Sequence, residues 1–65
     1  MDNNQILNYL VREIYKQRDE NAMFLAAGRA TNFDEYRHVC GIIRGLTSAE
    51  TLVKDLAQKM ELSDD

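Results

Sequence analysis

The sequence predicts an all-α protein, a two-helix antiparallel hairpin with helices at about 4–27 and 33–62. Three observations carry that expectation. Apolar residues recur at three- and four-residue steps in two blocks, the pattern of a helix with one buried face. A short stretch rich in breaking and capping residues, Gly28 to Asn32, separates the blocks. There is no proline, and Val, Ile and Thr are scattered singly among good helix formers instead of being grouped in strand-like runs.

The first block runs from about Asn4 to Ala27. Leu7, Leu10, Val11 and Ile14 share a face, and Ala22, Phe24 and Leu25 continue the apolar content toward the end. Asp2, Asn3 and Asn4 are candidate N-caps. Gly28 takes the left-handed conformation without strain and is the expected stop.

A start signal opens the second block. Thr31 with Asp34, and equally Asn32 with Glu35, have capping-box spacing, with Phe33 beside them to pack on the turn. The stripe Val39, Ile42, Leu46, Ala49, Val53, Leu56 and Met60 then alternates steps of three and four without a miss. Glu50 with Lys54, and Asp55 with Lys59, read as i,i+4 ion pairs on the polar side. Gly41 and Gly45 lower the helix propensity, and the run Leu46 to Glu50 has the look of a break and a new cap. Because the stripe keeps phase across it, one continuous helix is expected.

A connection this short makes the helices antiparallel neighbours, with residues 1–62 forming a single hairpin and 63–65 a short acidic tail. Level pairing from the turn sets Leu25 near Tyr36, Ile14 near Leu46 and Leu7 near Val53. The segment Gln17 to Asn21 has no apolar residue, so either the core is thin there or those groups meet polar partners on another chain. Ile6, Tyr15, Phe24, Cys40, Ile43 and Leu52 fall off the expected seam and argue for an oligomer or for docking on a larger protein.

Composition narrows function further. A chain of 65 residues buries little of its surface and needs a staple or a partner to hold a core. Its single cysteine, Cys40, excludes an internal disulfide, and one histidine, His38, leaves no zinc ligand set, so no metal and no cofactor are expected. On a helix those two residues point in different directions and make no nucleophile–base pair. No glycine-rich loop, phosphate-loop lysine or carboxylate pair in a cleft is present, so an enzyme with a small-molecule substrate is not expected.

Eight acidic and eight basic residues make positions 1–60 neutral, and the net charge of −3 comes from Glu61, Asp64 and Asp65. That balance supplies no basic face, so direct nucleic-acid binding is not expected. No apolar run approaches the ~20 residues of a membrane span, and the amino terminus lacks the regions of a signal peptide. A reduced thiol and these absences fit a protein that is neither secreted by signal peptide nor transmembrane.

The residues expected to carry an interface are Val39, Gly41, Ile42, Gly45, Leu46, Ala49, Val53, Leu56 and Met60 of the second helix. Gly41 and Gly45, with Ala49 continuing their line, admit two readings: a crossing point with a second chain, or close packing of Tyr15 within the hairpin. Arg37 and Arg44 flank Gly41 one heptad apart and suit a carboxylate or phosphate on a partner. The blander reading, a solvated face neutralised by Asp34 and Glu35, is preferred.

The run from Tyr36 to Met60 carries an aromatic, then Gly41-Ile-Ile-Arg-Gly45-Leu46, then an alanine and a basic amphipathic segment. It resembles the short helical proteins encoded among the structural genes of tailed double-stranded DNA bacteriophages. The resemblance implies a non-enzymatic virion or assembly component docking on a portal, capsid or tail protein, located in the virion or the host cytoplasm. It transfers no functional residues. A second class, a small adaptor or inhibitor that binds one host enzyme through the same apolar face, is the alternative. The first predicts a homo-oligomer or fixed stoichiometry with a larger structural protein; the second predicts a defined complex with a soluble target.

Overall fold

The computed structural model describes the backbone of residues 3–63 and the side chains of residues 3–60. The candidate cap Asp2 and the tail residues Asp64 and Asp65 lie outside the described residues. Two helices, α1 (Asn3–Ala26) and α2 (Phe33–Ser63), form the expected antiparallel hairpin. Its Cα envelope is 52 × 17 × 13 Å, so the protein is a rod one helix thick and two helices wide.

The turn follows local chemistry. At the end of α1 the Arg29 N–H donates to the Phe24 carbonyl (3.2 Å) and the Gly28 N–H to the Leu25 carbonyl (3.0 Å). These are the two bonds of a Schellman closure, and Gly28 sits at φ 69°, where a Cβ would meet the following carbonyl. Gly28→Ala is therefore expected to cost about 1–2 kcal/mol, read as a lower midpoint in urea with an unchanged slope. A midpoint equal to that of the parent chain would contradict this closure.

Of the two capping frames, the structure selects Asn32. Its Oδ1 accepts the Glu35 N–H at 2.8 Å, while the Glu35 carboxylate accepts the Thr31 hydroxyl at 3.0 Å. α2 is unbroken through the suspected break. Thr47 donates its hydroxyl back to the Ile43 carbonyl (2.9 Å) and Thr51 to the Thr47 carbonyl (3.2 Å), satisfying both hydroxyls inside the helix.

Which faces meet differs from expectation. The inner face of α1 is Leu7, Val11, Ile14, Arg18, Asn21 and Leu25, all buried or half-buried, whereas Leu10 lies on the flank and is exposed. On α2 the inner face is Val39, Ile43, Leu46, Glu50, Val53, Ala57 and Met60. The expected stripe shares Val39, Leu46, Val53 and Met60 with it, but Ile42 and Leu56 are exposed, and Ile43, Glu50 and Ala57 take the inner places. Ile43, Tyr15, Phe24 and Cys40 are thus half-buried rather than left over, while Ile6 and Leu52 are indeed outside. The cause lies in α1. Its polar middle offers Arg18 to the seam, and turning α2 by about half a residue step, ~50°, brings Glu50 to meet it.

The core is thin. Among the described residues, Leu7 and Val39 are the buried apolar ones, each 7% exposed, and no described side chain is fully sheltered. Contacts along the seam also run further than level pairing suggests, with Arg18 reaching Glu50 and Lys54 reaching Tyr15. Helical side chains lean toward their own N-terminus, so in an antiparallel pair their tips meet beyond the level of their Cα atoms.

Candidate functional site

Two features stand out above the plain hairpin: a charged layer inside it and an apolar side outside it. The charged layer centres on Glu50, which is 9% exposed although its spacing with Lys54 suggested a surface pair. One carboxylate oxygen accepts the Arg18 guanidinium at 2.7 Å and the other accepts Lys54 Nζ at 2.8 Å. Arg18 also donates to the Thr47 hydroxyl at 3.3 Å, and Lys54 to the Tyr15 hydroxyl at 2.7 Å. The Tyr15 ring lies 4.9 Å from the Arg18 guanidinium carbon and 5.2 Å from Lys54 Nζ. The polar gap of α1 is thereby answered from within the same chain, with no second chain required.

Hydrogen bonds from Lys54 and Tyr15, and then the Arg18 contacts, pull the Glu50 carboxyl down from 4.5 to about 2. Glu50 and Tyr15 in turn push the Lys54 ammonium above its ordinary 10.5. Both groups hold their charge through the neutral range, so the layer offers no proton donor or acceptor there. What it does offer is register. A buried polar pair at seam positions is satisfied in one alignment of the helices and left unpaired in its neighbours. Phasing the two helices together was the signal available for it, since Arg18 is in step with Leu7, Val11 and Ile14, and Glu50 with Val39, Ile43 and Val53.

The apolar side follows from helix geometry. In an antiparallel pair, the residues immediately preceding each seam position fall on the same side of the hairpin on both helices. That side carries Ile6, Leu10 and the half-buried Phe24 from α1, with Glu13, Gln17 and Glu20 between them, and Ile42, Gly45, Ala49, Leu52 and Leu56 from α2, with His38 and Lys59 at its two ends. Leu52 is 70% exposed and Leu56 49%. The opposite side carries Asn8, Arg12, Asp19, Arg44, Thr51 and Gln58, and is polar. A shallow open concavity of about 420 Å³, lined by Glu20, Met23, Phe24, Ala27 and Arg29, lies near the turn.

The expected interface residues therefore separate. Val39 is taken up by the hairpin core, and Leu46, Val53 and Met60 are half-buried on the seam. Ala49 is half-buried at its edge, while Ile42, Leu56, Gly41 and Gly45 face outward. No atom outside the local backbone comes within 4 Å of a Cβ placed on Gly41 or Gly45. Tyr15 does not pack on them, so the intrachain reading of the two glycines is excluded. Arg37 is exposed with its guanidinium carbon 5.9 Å from the Phe33 ring, which itself stacks on Tyr36 at 6.2 Å. Arg44 is exposed as well, one heptad further along the same helix.

Among the described residues, no three His, Cys, Asp or Glu side chains come together as a metal site. No described helix is long and apolar enough to cross a membrane. The chain matches no family model, and neither a curated protein nor a solved structure shows significant similarity to it.

Proposed function

We propose that this chain is a non-enzymatic helix-packing protein, a structural or assembly component of a tailed phage particle that binds by laying its apolar side on other helices. One observation carries the reading: among the described residues the hairpin buries two apolar side chains and leaves Ile6, Leu10, Leu52 and Leu56 open to water on one side. A fold with so small a core gains most of its apolar burial by association, which is the economy of a subunit rather than of a free-standing domain. The charged layer supports the same reading, because a register-locked hairpin presents its outer side as a fixed surface. The virion assignment draws on the resemblance of Tyr36 to Met60 to small phage structural-gene proteins.

Quantitative mass spectrometry of purified particles and assembly intermediates of the encoding phage tests it. The chain is expected at a fixed ratio to the major capsid protein in one of those fractions. Its absence from all of them, with recovery in a complex with a soluble host enzyme, would replace this reading with the adaptor class.

A further inference from the structure

We infer that the apolar side of α2 is the surface on which a second copy of this chain docks, antiparallel and about a two-fold axis passing between Ser48 and Ala49. The inference rests on the helix-packing function proposed above and specifies its partner. A two-fold contact requires that whatever residue i offers, its counterpart j must receive, in both directions. The outward face of α2 meets that condition. Leu52 and Leu56 project from it, and Gly45 and Gly41 lie at the same distances on the other side of the midpoint.

Each leucine of one copy is therefore set over a glycine of the other, and the hairpin leaves that space empty. Small residues opposite large ones let two helices approach closely along the contact. The midpoint of the pattern is also the midpoint of α2 (Phe33–Ser63), so two copies crossing there overlap along most of the helix.

Charge fits the same arrangement. Asp55 and Arg44 lie along one edge of the face on opposite sides of the axis, offset by two residues or about 3 Å, which leaves the carboxylate of each copy within reach of the long guanidinium side chain of the other. Positions 1–60 are neutral, so the copies meet without net repulsion. On the same side of the hairpin, Ile6 and Leu10 extend the apolar surface across α1, and pairing of two such sides gives a four-helix layer with the polar sides outward.

The experiment is light scattering on a size-exclusion column with the full chain, parallel variants and a dilution series. The parent chain is expected at twice its 7.5 kDa mass. Gly41→Leu fills the space needed by Leu56 of the other copy from a Cβ that lies in open space in its own hairpin, and Leu52→Glu places a charge on the axis-proximal contact. Each is expected to weaken the dimer by about tenfold or more. A cross-link reads the geometry independently of those variants' folding. In a Cys40→Ser background, Ala49→Cys near the axis is expected to form a disulfide dimer on mild oxidation, and Thr51→Cys on the polar side is not.

A helical chain that stays at 7.5 kDa up to about 100 µM overturns the inference and assigns the face to another protein's helix. A dimer untouched by Gly41→Leu and Leu52→Glu, or cross-linked as readily through Thr51→Cys, overturns it as well. The function proposed above is judged separately. A monomer found in particles at fixed ratio keeps that function without the two-fold contact, and a dimer absent from every fraction keeps the contact without the function.

Discussion

Leu7→Ala is expected to leave the isolated protein largely unfolded near room temperature. Leu7 and Val39 are the buried apolar residues among those described, and Leu7 is the one from α1. Truncating a buried leucine costs about 2–5 kcal/mol, and a partly bordered site like this one belongs at the low end, about 2–3 kcal/mol. A core of this size supplies no more than ~3–5 kcal/mol in total. The variant therefore loses most of what holds the helices together. Thermal melts followed by far-UV circular dichroism check it, with Met23→Ala, truncated at a position 70% exposed, as the comparison. Met23→Ala is expected to stay within about 0.5 kcal/mol of the parent chain. Equal melts for Leu7→Ala and the parent would mean that the α1 face described here is not the packed one.

Acid and charge substitutions at Glu50 make the second large effect. The carboxyl titrates at about 2 in the folded chain against 4.5 ordinarily, so the folded state favours the ionised form. Its contribution to stability is complete above pH 4.5 and is lost as the pH falls from there toward 2. The Lys54 ammonium, raised above 10.5, contributes fully below that value and loses its part only as pH rises through the raised one. Between those limits stability should be flat with respect to this layer. Glu50→Gln isolates the contribution from those of the other carboxylates. Its stability is expected to lie below that of the parent at neutral pH and to converge with it near pH 2.

Reversal is expected to do more harm than neutralisation. Glu50→Lys places a third cation beside Arg18 and Lys54 with no anion between them, and the hairpin is expected to open. Glu50→Leu should destabilise as well, because removing the anion leaves Arg18 and Lys54 unpaired at the seam. It should also lose the unique register, seen as broadened amide resonances on α1 and α2. Parallel pH curves for the parent chain and Glu50→Gln would show that the layer does not couple to folding.

These two positions also show how far the sequence could be followed. Leu7 was legible as a face residue because Leu7, Val11 and Ile14 repeat locally. The helix ends were legible for the same reason: Gly28, Asn32 and Glu35 act on backbone groups within a few residues of themselves. Glu50 was misplaced because its local signal, a lysine four residues later, is that of an ordinary surface pair. Its burial depends on Arg18, 32 positions away, and no local pattern encodes that meeting. Ile42 and Leu56 were placed inward for the complementary reason, since their spacing with Val39, Leu46, Val53 and Met60 is as regular as the spacing of the residues that displaced them.

By itself, then, the sequence determined two helices, the Gly28 closure, their turn and their antiparallel course, all consequences of interactions reaching no further than about one helical turn. Tertiary structure decided which of two interleaved heptads on α2 lies inside. Both share four positions and differ by a rotation of about half a residue step, ~50°, so their apolar content alone does not separate them. The polar middle of α1 broke the tie, because a charged Arg18 at a nearly dry seam demands an anion, and only the rotation that buries Glu50 supplies one. The same rotation put Leu56 outside together with Gly41, Gly45 and Leu52 and made the outer side of α2 the surface it is.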